Sequence, residues 1–215
     1  MALAKVDVAF SLTGSSIPVD HGYCLFSAVS RVVPQVHKSR EIGIHPISGR
    51  LIGSRTLALT PTSCLTLRLP QEQLGQVLPL AGKLLQLGDS RVRVGVPHTR
   101  ALRPSKRLYS RVVIIKGFSE PQLFLDAVVR QLAALGIHGE ASLVEQQGVA
   151  DSNVGKLSGS HSPYLRRTVR ICSKDIVGFA VLVGNLREND SVLLQETGIG
   201  GRRRFGCGVF VPVKE

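Results

Sequence analysis

Six histidines and a run of three arginines carry most of this chain's capacity for acid–base and anion chemistry. An imidazole titrates near neutral pH, so it can take or give a proton under working conditions. His37 stands out because Lys38 and Arg40 follow it, which brings an acid–base group and cations to one loop. His45 precedes a proline in a short apolar run, where it is either structural or catalytic. His21 lies at the expected start of a helix, as a cap or as a neutral base, and Tyr23 beside it reads as core. His98, His138 and His161 have no supporting context.

The second constellation is near the C-terminus. Gly198, Gly200, Gly201, Gly206 and Gly208 surround Arg202, Arg203 and Arg204, and an apolar run follows. Glycines let backbone N–H groups turn towards an anion, and guanidinium groups match phosphate oxygens in pairs. The stretch is either a solvated basic turn or a phosphate-holding loop. Arg166, Arg167 and Arg170 form a second basic row.

The whole-chain balance points the same way. Of 215 residues, 27 are Lys or Arg and 15 Asp or Glu, a net charge of +12. That excess suits a polyanion, most simply nucleic acid. No basic amphipathic helix or long apolar stretch supports a membrane partner. With no Trp and three Tyr, base stacking on aromatic platforms has little support. Cys24, Cys64, Cys172 and Cys207 are isolated, so they read as buried free thiols, with no zinc site or disulfide framework. The N-terminus lacks a signal-peptide core, and a cytoplasmic protein with no cofactor is expected.

The elements that must position these groups recur twice. Val6, Val8, Phe10 and Leu12 alternate as a half-buried strand. A helix capped by Asp20 then carries Leu25, Ala28, Val29 and Val32 to a stop before Pro34. A strand pair over 42–47 and 50–59 turns at Ser48-Gly49, and Cys64 to Leu69 forms a third strand. A helix striped from Leu74 to Leu85 and ending at Gly88, interrupted by Pro79, and a strand over 91–96 complete the first unit. The proline-containing basic segment 97–106 reads as an inter-domain connection.

The second unit opens with a central strand, Leu108 to Lys116. A helix follows, with Ser119 to Gln122 as its capping box and a stripe of Leu125, Val128, Val129 and Leu132. Residues 146–162 are polar and Gly/Ser-rich, a candidate mobile segment. Strands over 165–172 and 176–183, a helix from about Asn189, and a last strand from Cys207 to Val213 end the chain. The order β-α-β-β-α-β, met twice, predicts an α+β protein with two tandem ferredoxin-like (RNA-recognition-motif-like) domains at 1–100 and 107–215. Each would be a four-stranded antiparallel sheet with helices on one face.

Three stretches together resemble a known superfamily: Asp20 to Tyr23 with its helix to His37, Ile42 to Ile47, and Gly198 to Pro212, with Val177-Gly178-Phe179 in agreement. The chain resembles the repeat-associated mysterious proteins (RAMPs) of CRISPR systems. Within them it is similar to the endoribonucleases of the Myxococcus-type type I subfamily, which cut repeat transcripts into guide RNAs. The resemblance implies metal-independent cleavage by 2′-OH attack, leaving a 2′,3′-cyclic phosphate and a 5′-OH. It implies a histidine after the first helix, His37 by position, as base or acid, and repeat hairpin RNA as partner. Other subunits of a type I effector complex are further partners on this reading. The rival is a non-catalytic guide-RNA-binding subunit on the same fold, and behind it a basic protein of ribosomal or RNA-recognition type.

Overall fold

The computed structural model describes residues 4–53, 55–146, 163–171 and 174–213. Strand β1 (Lys5–Thr13) buries Val8 and Phe10 as the alternation predicts. After β2 (Ser16–Pro18), helix α1 (Gly22–Val32) buries Leu25, Ala28 and Val29, and the five-residue α2 (Pro34–Lys38) restarts at Pro34. Asp20 does not cap α1. His21 holds the cap position but its ring makes no capping bond to the helix, and the Asp20 carboxylate accepts the Arg170 N–H at 2.9 Å.

Next come β3 (Gly43–Ile44), β4 (Arg50–Ile52), β5 (Thr56–Ala58) and β6 (Cys64–Pro70). The strand pair expected to turn at Ser48-Gly49 does not form. Pro46 offers no N–H for a ladder, so β3 ends at Ile44 and pairs with β6, while β4 pairs with β5 in a small sheet ordered β2-β5-β4. The expected helix over 74–88 is also much shorter. Pro79 confines helix α3 to Leu74–Val77, flanked by single 3₁₀ turns, and the chain reverses into β7 (Leu84–Leu87). Leu85 and Leu87 are thus buried at strand spacing. β8 (Ser90–Ala101) runs through Pro97 and His98, so the first part of the expected linker is strand paired with β1.

The rest of the chain holds β9 (Leu108–Val113), α4 (Pro121–Ala134), β10 (Glu140–Leu143), β11 (Arg166–Ile171), β12 (Lys174–Gly184), α5 (Glu188–Thr197) and β13 (Val211–Pro212). The cap of α4 is Glu120, not Ser119: its carboxylate accepts the N–H groups of Gln122 and Leu123 at 3.0 and 3.2 Å. The buried stripe is Phe124, Ala127, Val128 and Leu132, and Val129 is half exposed. The last strand is two residues long, shorter than expected, although Cys207, Val209 and Phe210 before it are buried. Of the described cysteines only Cys207 is buried; Cys24 and Cys64 are partly exposed. Cys172, His161 and segment 147–162 lie outside the described residues.

Two antiparallel sheets result, ordered β3-β6-β1-β8-β7 and β10-β12-β9-β13, with β11 also paired to β12. Each has five strands, one more than expected, because β7 and β11 extend hairpins with β8 and β12. One apolar cluster spans Val8 to Val94 and a second spans Leu108 to Phe210. A smaller one, Val112, Ile114, Val169, Ile171 and Cys207, packs Phe205 against the second sheet.

The register of α4 is open to a direct check. Phe124→Ala should cost about 3–5 kcal/mol in urea unfolding, and Val129→Ala should stay within about 0.5 kcal/mol of wild type.

Candidate active site

Facing residues of β1 and β6 make the first connection. In the β1–β6 register Asp7 lies opposite Arg68, and Arg68 is 3% exposed. Its guanidinium donates twice to the Asp7 carboxylate, at 2.7 and 2.9 Å. Its remaining terminal nitrogen donates to Gln195 O at 2.9 Å and Phe210 O at 2.7 Å. Those two carbonyls flank the glycine–arginine stretch. One buried arginine therefore pins both ends of the loop to the first sheet.

Between the pins the loop takes conformations that side chains resist. Gly198, Gly200, Gly206 and Gly208 have φ between 64° and 81°, and Arg202 is left-handed at 66°. A Cβ on Gly198 would run into Gly208 O, and one on Gly208 into Ile199 O, so the two arms of the loop touch through bare backbone. Gly201 N donates to Ile114 O and Gly208 N to Val112 O, which fastens the loop to the end of β9. Gly22, the first residue of α1, lies equally close to Phe205 O.

This packing delivers the arginines to α1 and α2. Phe205 packs edge-on to Phe26 (4.7 Å between centroids) and stacks with Tyr23 (6.1 Å). Arg204 lies over the Phe26 ring at 5.3 Å and donates to Val36 O and His37 O, closing the C-terminus of α2. Arg203 is half-buried and reaches Arg40 O at 3.4 Å, while Arg202 is exposed. Arg40, Gly200, Gly201 and the three arginines line one basic depression.

His37 is exposed and its ring stacks on Phe26, with centroids 5.6 Å apart. Tyr23, Phe26, Ser30, Arg31, His37 and Lys38 line one groove. Tyr23 is 38% exposed there, not core. The site thus joins an imidazole held by its face to an arginine bound to the neighbouring backbone, with Lys38 and Arg40 exposed alongside. Such a set can transfer a proton and hold a phosphate oxyanion.

The other histidines are engaged in the framework. His21 is 1% exposed; Nδ1 donates to Pro18 O and Nε2 accepts the Ile47 N–H, both at 2.9 Å. His45 Nε2 lies 3.3 Å from Asp7 Oδ1 without hydrogen-bond geometry, and its side chain is 12% exposed. Neither ring lines the His37 groove. Of the second basic row, Arg166 is exposed, Arg170 pairs with Asp175 at 2.8 Å, and Arg167 turns into a different cleft. Reading the sequence missed Asp7, Arg68 and Phe26. Opposed charges on neighbouring strands are the signal for the first two, and it exists only once the register is known.

Burial lowers the pKa of both His21 and His45, overriding the Asp7 carboxylate in the second case. Against its burial, the nearby His45 ring and the Arg68 guanidinium bring Asp7 below the usual carboxylate range. All three groups take up protons more readily unfolded than folded. Their stabilisation is therefore complete above the unfolded values and is lost as pH falls, first below about 6.5 and then below about 3.9. Urea midpoints should fall between pH 7 and pH 5, and His21→Gln with His45→Gln should flatten that slope.

With this geometry in view, the chain can be set beside known proteins. The Cas6 family model, described as Cas6 Crispr, matches residues 6–215. The CRISPR-associated endonuclease Cas6 of Myxococcus xanthus (strain DK1622) is 35% identical over 207 residues, 96% of this chain and 81% of that protein. The solved structure of a Cas6-related gene product from Pyrococcus furiosus superposes with a TM-score of 0.67 at 13% identity, covering 98% of this chain and 99% of the other. That of a RAMP protein binding different RNA substrates gives 0.66 at 12%, covering 98% and 100%. The structural likenesses speak to the mixed α+β fold, and the match along the sequence speaks to descent: the chain belongs to the Cas6 family of CRISPR-associated endonucleases.

Proposed function

We propose that the chain binds CRISPR repeat hairpins and cuts precursor transcripts into guide RNAs, without metal, by attack of a ribose 2′-OH on the adjacent phosphate. The products would be a 2′,3′-cyclic phosphate and a 5′-OH. The observation that carries this reading is the His37 ring seated on Phe26, beside an arginine bound to its own backbone carbonyl. His37 either accepts the 2′-OH proton or donates one to the leaving 5′-oxygen. Arg204 and Lys38 meet the charge that develops on the phosphorane. His21 and His45 serve the framework.

Two features support two ferredoxin-like units divided near residues 101–107. In each main sheet the strand before the first helix of its half lies inside: β1 sits between β6 and β8, and β9 between β12 and β13. Each half also has its own apolar cluster. The net charge of +12 and the exposed arginine loop suit a phosphate-rich partner.

Single-turnover cleavage of a repeat hairpin in EDTA tests the assignment. His37→Ala should slow it by roughly 10²–10⁴-fold, with binding of an uncuttable 2′-deoxy hairpin nearly unchanged and wild type indifferent to EDTA. Full rates in that variant, with collapse in His45→Ala or His21→Ala, would move the assignment to the other histidine. Binding with no cleavage by wild type would leave a guide-RNA-binding subunit. Replacing Arg202, Arg203 and Arg204 together by Ala should weaken hairpin binding and lower its log–log salt slope by roughly 0.7–0.9 for each phosphate no longer neutralised. An unchanged slope would show that the loop does not touch the strand.

A further inference from the structure

A second cavity, of about 110 Å³, shares no lining residue with the His37 groove. It forms where β9 and β11 meet the start of α1 and the segment Ile44–Pro46. Arg111 from β9 and Arg167 from β11 both line it. Among the described residues no carboxylate comes within ion-pair distance of either guanidinium, and Arg167 Nε is buried with no hydrogen-bond partner. The pKa of Arg111 is depressed by burial and then by the charge of Arg167. Asp20, the acid on the cavity wall, accepts the Arg170 N–H, and its charge favours Arg111 only from beyond ion-pair range.

Two partly buried like charges with no carboxylate in ion-pair range cost stability unless something neutralises them. The apolar wall residues and the helix start favour the same visitor. Leu25, Val112 and Val169 keep water sparse, which strengthens any charge pairing inside. Helix α1 begins on this wall at Gly22 with no side chain capping its first turn, adding positive potential. An anion with several acceptor oxygens would satisfy both forks at once.

We infer that the Arg111–Arg167 cavity is a phosphate-binding subsite, separate from the His37 groove, taking one phosphate group either from an RNA strand or as free phosphate. Its RNA arm rests on the function proposed above; its phosphate arm does not.

The test uses the full chain as wild type, Arg111→Gln, Arg167→Gln and, as an exposed control outside the cavity and the loop, Arg91→Gln. Melting is followed at constant ionic strength as inorganic phosphate is added. Phosphate should raise Tm in wild type and in Arg91→Gln but not in the cavity variants. Binding of the 2′-deoxy hairpin separates the sources. If the strand supplies the phosphate, each cavity variant binds about tenfold more weakly with a salt slope lower by about 0.7–0.9. Unchanged hairpin binding with a lost phosphate response identifies free phosphate as the ligand. Without phosphate the cavity variants should melt no lower than wild type, since each removes one of two repelling charges. A much lower melting point would make that arginine a structural prop and overturn the inference. So would cavity variants that match wild type in both phosphate response and hairpin binding. Cleavage by His37→Ala is read separately, so failure of the cleavage mechanism and failure of the subsite are distinguishable.

Discussion

Arg68 spends its donors on two things at once: the Asp7 carboxylate, and the carbonyls of Gln195 and Phe210 from the far end of the chain. A buried guanidinium is tolerable only when its charge and donors are met. The first sheet supplies the charge partner and the second half supplies the carbonyls. Lysine would not substitute, because a single ammonium cannot offer a planar fork to Asp7 and also span two carbonyls. The two carbonyls bracket the glycine–arginine loop, so this contact sets where the loop begins and ends against α1 and α2.

What lies between the pins is shaped by the absence of side chains. Gly198 and Gly208 let the arms of the loop meet backbone to backbone, and Gly22 lets Phe205 O approach the start of α1. Once Phe205 is seated against Phe26, Arg204 has a short reach to the last carbonyls of α2. The imidazole of His37 then rests on the same ring. Phe26 is thus shared by a histidine, an arginine and the loop's anchoring phenylalanine. A site built this way holds its cations without consuming the imidazole nitrogens in the framework, unlike His21, whose two nitrogens are both committed.

Much of this was legible in the sequence where local pattern and tertiary demand agree. β1, β6 and β12 alternate or run apolar because their partners cover them as expected, and α1 stops where Pro34 requires. The failures have a common cause in non-local partners. Leu84 and Leu85 complete a helical stripe on paper, but Pro79 and a hairpin with β8 turn them into strand. Asp7 and Arg68 alternate with apolar neighbours and so read as outward-facing; the second half covers that face and buries them. Phe26 reads as another apolar residue of α1, and only the loop folded back from residue 205 turns it into a shelf. His37 drew attention through its cationic neighbours and the family resemblance, and its place beside Phe26 was not foreseen. The Arg111–Arg167 cavity was not, because it depends on β9 and β11, far apart in the chain, flanking the same strand β12.

The central claim is that the imidazole on the Phe26 shelf carries the proton in RNA cleavage. Its most direct test is chemical rescue: single-turnover cleavage of a repeat hairpin by His37→Ala, with and without added imidazole. The account predicts a slow variant whose rate rises with imidazole concentration while its affinity for the 2′-deoxy hairpin stays constant. A variant that cleaves at the wild-type rate with no imidazole present would contradict it.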